Sequence, residues 1–177
     1  TFNNQEIILN TFQKLDKYSL NTYFNHTETD GYRDENEQQQ NNFTSELRYP
    51  GKNGDHFFAI SFSEQIMSTP GDRSQDQLFT DRRGSDTPDD YINSLGGSFL
   101  YATDYKLSEY MTFILNSSFR LKDSYSDLQS TSSPSYSDTS LTNYQFTPRI
   151  NHVINLFGKI SKLTYGLELQ YADYKSY

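Results

Sequence analysis

Residues 162–171 read Lys-Leu-Thr-Tyr-Gly-Leu-Glu-Leu-Gln-Tyr, and this stretch decides the fold. Its apolar side chains fall at the odd-numbered positions from Leu163 to Tyr171, whereas the even-numbered positions carry polar residues or glycine. Successive side chains of a β-strand point to opposite faces, so only a strand separates these two sets. The stretch therefore predicts a strand with one apolar face and one polar face.

The same alternation recurs towards the N-terminus. Apolar residues occupy every second position, with few gaps, in five further runs: Tyr144, Phe146, Ile150, Ile154 and Leu156; Met111, Phe113, Leu115, Phe119 and Leu121; Phe58, Ile60 and Phe62; Phe43, Leu47 and Tyr49; Tyr18, Leu20 and Phe24. Residues 94–103 add another strand. An opening strand over residues 5–12 is less distinct, because Ile8, Phe12 and Leu15 also fit helical spacing. The sequence predicts an all-β, antiparallel up-and-down meander of about eight long strands.

The predicted connections alternate in length. Short turns are expected at about residues 13–17, 50–55, 104–109 and 157–160, and long loops at about 28–40, 64–93 and 122–142. The long set is rich in Asp, Ser, Thr, Gln and Pro. Loops of this length are uncommon in compact soluble domains, whereas outer-membrane barrels combine short periplasmic turns with long extracellular loops. The loop pattern therefore favours part of a transmembrane β-barrel.

Composition narrows the functional classes. The 177 residues carry a formal net charge of −8, which argues against the basic footprint that nucleic-acid binding requires. Only 33% of the residues are hydrophobic, but fifteen Tyr and thirteen Phe are too many strand-forming aromatics for a disordered tail. No cysteine is present, so disulfides and thiolate chemistry are excluded.

Three features favour a membrane wall over a soluble sandwich. Strands of about 10–13 residues match a tilted bilayer crossing better than a globular sheet. Tyrosines at predicted strand ends suit an aromatic girdle at the lipid–water boundary: Tyr18, Tyr49, Tyr101, Tyr110, Tyr144 and Tyr171. The polar positions include charged residues that a dry core would not accept: Glu46, Arg48, Arg120, Arg149, Lys162 and Glu168.

Three stretches resemble the barrel of TonB-dependent outer-membrane receptors. They are residues 23–25 running into Thr29-Asp30-Gly31-Tyr32-Arg33-Asp34, residues 68–71 followed by 75–81, and Tyr105-Lys106-Leu107-Ser108-Glu109 ahead of a strand that ends at Phe119-Arg120. The resemblance implies a barrel of about 22 strands with an N-terminal plug domain. Residues 1–177 would then be a partial barrel domain without the plug, in the outer membrane of a Gram-negative type of cell.

The resemblance also implies a function and partners. Such receptors import ferric siderophores, including ferric citrate, or haem or cobalamin, on energy that the TonB protein delivers through the plug. The expected partners are outer-membrane lipid, TonB and a small metal chelate, with the chelate as transported ligand and no intrinsic cofactor.

Six residues of the predicted long loops are candidate ligand contacts. Arginine binds carboxylates in a bidentate way, and an exposed aromatic ring can stack on a catecholate or a haem-like ligand. The candidates are Tyr32, Arg33, Arg73, Phe79, Arg82 and Arg83. A plainer interpretation is that the arginines pair with loop acids such as Asp81 and Asp86, and that the rings pack the loops onto themselves. No catalytic residue and no metal site is predicted, and enzymatic activity is not expected.

Two other functions remain open from the sequence. A passive porin-like barrel would place the same charged face in an open lumen. A soluble secreted β-sheet protein that binds glycans or proteins would instead bury its apolar face against a second layer.

Overall fold

The computed structural model describes residues 3–129 and 134–177. Nine strands and one short helix follow one another along these residues. They are β1 (Asn4–Leu15), β2 (Tyr18–Thr29), β3 (Gln38–Pro50), β4 (Gly54–Ser68), α1 (Gln75–Thr80), β5 (Tyr91–Lys106), β6 (Met111–Leu128), β7 (Ser135–Leu156), β8 (Lys159–Gly166) and β9 (Leu169–Ser176). Each strand from β1 to β8 pairs antiparallel with the next, and β9 pairs with β7. The predicted all-β meander is confirmed.

β8 and β9 occupy one strand position beside β7, with a break between them. Both pair with β7 in the same register, since Gly166 lies opposite Arg149 and Leu169 lies opposite Phe146. The break lies opposite Pro148, which has no N–H to donate to a neighbouring strand. Leu167 N still donates to Pro148 O at 3.0 Å, so the chain stays in place across the gap. The sheet therefore has eight successive positions, as the alternation predicts.

The sheet is a single layer with two different faces. No hydrophobic residue in the described ranges is fully buried. One face, the apolar face, contains cross-strand rows of large side chains: Leu9, Phe24, Phe43 and Phe62 in one row, and Ile60, Phe99, Phe119, Tyr144 and Tyr171 in the next. The opposite, polar face has Ser61, Ser98, Arg120 and Asn143 in one row. The described residues form one sheet, without the second layer that packs against each sheet of a sandwich.

The apolar face has polar or aromatic borders. At one end of the strands, His26 Nδ1 lies 2.7 Å from Asn41 Oδ1, and Asn41 Nδ2 donates to Glu64 at 3.1 Å. At the other end, the rings of Tyr18 and Tyr49 lie 6.4 Å apart. Amphipathic rings of this kind are typical of the boundary between lipid and water. The first of these borders lies toward the long loops and the second toward the short turns.

The strands are staggered as in a barrel wall. The β1–β2 hairpin ends in the cross-strand row that contains Pro148, whereas β7 continues eight residues further to Leu156. Eight residues span about 26 Å along a strand, and the six strand spacings from β1 to β7 span about 29 Å. If the short turns lie in one plane perpendicular to the barrel axis, the strands tilt by roughly 40° from that axis. This angle is within the range of closed barrels.

The four short turns are confirmed, and the long loops are narrower than predicted. The β2–β3 loop covers residues 30–37 rather than 28–40, and the β4–β5 loop covers 69–90 rather than 64–93. The prediction of a loop over 122–142 is wrong in extent, because β6 continues to Leu128 and β7 begins at Ser135. Residues 130–133 of that predicted loop lie outside the described residues. The polar Ser, Thr and Asp side chains of residues 122–128 and 135–142 belong to the β6–β7 ladder instead of ending it.

The β6–β7 extension carries a tyrosine cluster beyond the apolar face. The Tyr125 ring lies 5.5 Å from Tyr91 and 5.2 Å, edge-on, from Tyr136. A hydrogen bond with Tyr91, and then burial, raises the pKa of Tyr125. These rings support cross-strand pairing in a segment whose other side chains are mainly small and polar.

Candidate functional site

Two loops at the same end of the sheet lock together. We call them the paired loops: the β2–β3 loop, residues 30–37, and the β4–β5 loop, residues 69–90. Asp34 N donates to Arg83 O at 2.7 Å, and Ser68 N donates to Glu37 O at 2.9 Å. The first bond joins the two loops within their lengths, and the second joins the end of β4 to the residue before β3. The paired loops therefore present one continuous surface above the sheet.

Arg33 fastens the first loop to the second. Its Nη1 donates to Gly71 O at 2.5 Å, and its Nη2 donates to Pro70 O at 2.9 Å and Gly84 O at 3.0 Å. Its Nε adds a longer bond, 3.3 Å, to Gly84 O. A guanidinium has five N–H donors in a rigid plane, which lets one side chain satisfy three converging carbonyls. We call this arrangement the Arg33 clamp.

Arg73 organises the second loop from within. Its guanidinium pairs with Asp81 and with Asp86, each at 2.6 Å, and only 6% of its side chain is exposed. Burial alone would lower the pKa of Arg73, but hydrogen bonds and charge interactions with the two aspartates raise it above its ordinary value. Gln77 Nε2 also donates to both oxygens of Asp86 at 3.0 Å, which ties α1 to the same centre.

Glycine is required where the two arginines meet. A Cβ at Gly84 would lie 2.0 Å from Asp81 Oδ2 and 2.2 Å from Arg73 Nη2. The carbonyl of Gly71 accepts from Arg33. Gly71 itself has a φ of +69°, in the left-handed region that glycine tolerates. These two positions allow the loop backbone to approach both guanidinium groups.

Helix α1 is capped at its start by its own sequence. Gln77 N donates to the Ser74 hydroxyl, and Ser74 N donates to the Gln77 side chain at 2.7 Å. This reciprocal pair is a capping box, which satisfies two backbone donors of the first turn. The helix presents Leu78 and Phe79 outward, and 82% of the Phe79 side chain is exposed.

A second exposed element lies on the first loop. The guanidinium of Arg82 lies 6.0 Å from the centre of the Tyr32 ring, which is a cation–π distance. Tyr32 is 43% exposed, and the side chains of Arg82 and Arg83 are exposed as well. The accessible groups of the paired loops therefore include cations and aromatic rings.

The six predicted ligand contacts divide into two groups. Arg73 pairs with Asp81 and Asp86, as the plainer interpretation expects. Arg33 instead donates to backbone carbonyls of the second loop, which neither interpretation predicted. Tyr32, Phe79, Arg82 and Arg83 remain accessible. Direct contact with a ligand stays a prediction for all six.

Sequence reasoning missed the acceptors that hold the loops. The carbonyls of Pro70, Gly71 and Gly84 have no side-chain signature, although Pro70-Gly71 and Gly84 mark the places where the chain turns. The capping box, Ser74 with Gln77 three residues later, is the one local signal that a sequence pattern could have found.

Two of the three acids around Pro88, Asp86 and Asp90, have protein partners. Asp86 binds Arg73 and Gln77, and the buried Asp90 accepts a hydrogen bond from Gln129 N. Within residues 3–129 and 134–177, no group of three or more His, Asp or Glu side chains could hold a metal ion. Over the same residues, no helix is long and apolar enough to cross a membrane.

Comparison with known proteins relates the fold to transport proteins. No protein-family model matches the chain, and no curated protein sequence matches it significantly. The structure is similar to the unliganded ferric citrate transporter FecA, with a TM-score of 0.79 and 12% identity, over 99% of this chain and 26% of that one. It is also similar to the open form of the ferric-catecholate import receptor Fiu from E. coli K12, with a TM-score of 0.71 and 11% identity, over 98% of this chain and 32% of that one.

These similarities establish the fold and its extent. The chain spans about a third or less of the length of either solved structure. Nearly all of it superimposes on part of each, so the eight-position meander is the fold of a barrel segment from such receptors.

Proposed function

We propose that this chain is part of the barrel of a TonB-dependent outer-membrane receptor that takes up a ferric siderophore or a similar metal chelate. The observation that carries the proposal is the single sheet with one apolar and one polar exposed face. An apolar exposed face requires lipid, and a polar opposite face requires a wet interior, so the two together suit a barrel wall.

The similarity to the ferric citrate transporter and the ferric-catecholate receptor supports this family and this kind of cargo. The proposed partners follow from the family: outer-membrane lipid around the apolar face, and TonB acting through a plug domain of the complete protein. The transported chelate is the ligand, and no resident cofactor is proposed.

The paired loops are the proposed capture surface. Arg33 and Arg73 hold the loop backbones, and Tyr32, Phe79, Arg82 and Arg83 offer rings and cations to solvent. Rings can stack on the aromatic groups of a catecholate, and guanidinium groups can bind its anionic oxygens. Because Arg33 and Arg73 hold the loops, Arg82 and Arg83 can bind a chelate without disturbing the loop structure.

Uptake in cells tests the proposal. Cells that lack the full-length protein should lose uptake of at least one of two probes, ferric citrate and a ferric catecholate, and loss of TonB should abolish the same uptake. Replacing Tyr32 and Arg82 together by alanine should weaken binding of that probe to the purified protein. Lys52→Ala, in the short turn at the opposite end of the sheet, is the matched control.

Conductance distinguishes the receptor from a passive porin. The full-length receptor in a planar bilayer should stay silent, because a plug fills the lumen. Steady open current, together with unchanged uptake of both chelates in the deletion strain, would overturn the proposal in favour of a porin.

A further inference from the structure

The polar face is divided by charge. Towards the short turns it carries both signs, for example Glu46 and Arg48 on β3 and Asp104 on β5. Nearer the long loops, the polar positions of β2 to β7 carry hydroxyls, amides and a few apolar side chains, and the charged residues there are two cations, Arg120 and Lys122. On β2 to β7, the half of the polar face nearer the long loops therefore carries only positive formal charges, on a chain whose net charge is −8.

The two cations border a hollow on this face. Its volume is about 380 Å³, and its lining combines Arg120 and Lys122 with small side chains of β4 and β5. The lining also includes Glu64, whose carboxylate accepts a hydrogen bond from Asn41 on the apolar face. In the cross-strand register, Lys122 lies opposite Gly96 and Arg120 lies opposite Ser98. Small residues directly beside two long cationic side chains leave room for a molecule against the sheet. We call this hollow the wall pocket.

The floor of the wall pocket is built from hydrogen-bonding groups. Ser61 Oγ and Ser98 Oγ lie 2.7 Å apart, and Ser94 Oγ and Ser124 Oγ lie 2.9 Å apart. A Cβ at Gly96 would lie 3.0 Å from Ser63 Oγ, so a larger residue there would crowd the floor. Hydroxyl groups can donate to the oxygens of a ligand that the cations attract.

Neither cation has a protein partner. Arg120 and Lys122 form no hydrogen bond or ion pair with any residue in the described part of the chain, and both are exposed. An acid on the same face at this height is Glu6 on β1, five strand spacings from β6, or about 24 Å away. Glu6 already accepts a hydrogen bond from Asn25. The two cations are therefore available to an anion from outside this chain segment.

The wall pocket lies below the paired loops. Gly96 is five residues into β5 from Tyr91, where the β4–β5 loop ends, or about 16 Å along the strand. A molecule that left the paired loops and moved along the polar face would meet this pocket before it met the acids near the short turns.

We propose that the wall pocket is an anion-binding site for an oxygen-rich small molecule bearing carboxylate or similar anionic groups. This inference deepens the proposed function, on which it rests for the identity of the cargo: the chelate would be negatively charged, and Arg120 and Lys122 would hold it on the barrel wall after capture by the loops. The hydroxyls of Ser61, Ser94 and Ser98 would bind its remaining oxygens.

Citrate binding tests the site without depending on transport. The full-length protein in detergent should bind iron-free citrate in titration calorimetry at low ionic strength. The double substitution Arg120→Gln and Lys122→Gln should weaken this affinity by roughly tenfold to a hundredfold, because two charge-assisted contacts are lost. Raising the salt concentration should weaken citrate binding to the unaltered protein much more than to the variant.

A matched variant controls for net charge. Arg149→Gln with Lys162→Gln removes two positive charges from the same face, towards the short turns, and should change citrate affinity less than about twofold. An equal loss in both variants, or no citrate binding by the unaltered protein, would overturn the inference. So would a drop in thermal stability of the Arg120/Lys122 variant with citrate affinity unchanged, since the cations would then serve contacts with another part of the protein. Failure of uptake with citrate binding intact would count against the transporter function and leave the site standing.

Discussion

Two polar segments at the same end of the sheet adopt opposite structures. Residues 69–90 form a folded loop around Arg73, whereas residues 122–142 are largely strand, with β6 reaching Leu128 and β7 starting at Ser135. The first segment is rich in Asp and the second in Ser. The two segments differ in the residues that interrupt a hydrogen-bonded strand ladder. The first contains Pro70, Gly71, Gly84 and Pro88, which interrupt a ladder, whereas the second contains one proline and places tyrosines where they can pair across strands.

Polarity alone therefore does not identify a loop in this chain. Beyond the apolar face, a strand need not alternate in hydrophobicity, because both its faces meet water. Its hydrogen-bonded ladder persists as long as no residue breaks it. The folded loop instead depends on side chains, above all the Arg33 clamp and the ion pairs of Arg73.

The largest effect should come from breaking the ladder of the extended hairpin. Thr139 lies between Ser124 on β6 and Ser176 on β9, so proline there loses its ladder bond whichever strand accepts it. We expect Thr139→Pro to destabilise the hairpin locally by up to about 3 kcal/mol, because a ladder acceptor loses its donor. Hydrogen exchange of the β6 amides from Lys122 to Leu128, measured by mass spectrometry on the full-length protein, should accelerate strongly.

Thr139→Val is the control for this substitution. It keeps the N–H and a strand-forming side chain, and should leave amide exchange almost unchanged. Equal exchange in the proline and valine variants would show that this segment is a loop after all.

Removing the Arg33 clamp should have the next largest effect. Arg33→Ala leaves three loop carbonyls without their donor, and we expect the paired loops to open more readily by about 2 kcal/mol, or roughly 30-fold. The bond after Arg83 lies beside the clamp, so its cleavage by trypsin reports the opening directly. The rate of cleavage at this bond should rise in the variant.

Arg149→Ala, an arginine on the strand wall away from these loops, should leave cleavage after Arg83 unchanged. A rate that is the same in Arg33→Ala and in the unaltered protein would mean that the clamp does not hold the loops together.

The helix cap should have the smallest effect. Ser74→Ala removes the hydroxyl that accepts from Gln77 N, which costs about 1 kcal/mol. Trypsin cleavage after Arg82 or Arg83 should rise by roughly fivefold, since α1 supports Asp86 through Gln77. Gln75→Ala, at an exposed position of the same helix, should have little effect. If Gln75→Ala had the larger effect, the capping box would not be what fixes the helix.

Much of the wall could be predicted from sequence because its rules are local. Alternation over residues 162–171 predicted one strand, which the structure divides into β8 and β9. The short turn predicted at about residues 157–160 is present as Phe157-Gly158, with both residues at positive φ. β1 was ambiguous because Ile8 and Phe12 lie on the polar face, out of phase with Ile7 and Leu9.

The site could be predicted only in part, because its contacts join distant residues. Arg33 was recognised as a loop arginine, but its acceptors lie 37 to 51 residues further on. Backbone carbonyls carry no sequence signature, so nothing distinguished Arg33 and Arg73, which hold the loops, from Arg82 and Arg83, which stay accessible. The wall pocket depends on the register between β5 and β6, which alternation within one strand does not specify.

A barrel wall requires that neighbouring side chains of this sheet face lipid and water in turn. Because residues 1–177 contain no cysteine, single cysteines can be introduced and spin-labelled at Phe43, Phe62 and Phe119 on the apolar face and at Thr44, Ser61 and Ser118 on the polar face. In the full-length protein reconstituted in a bilayer, oxygen dissolved in lipid should relax the first three labels and leave the second three unaffected. Equal accessibility of both sets to oxygen, or access of a water-soluble nickel reagent to the first three, would contradict the account.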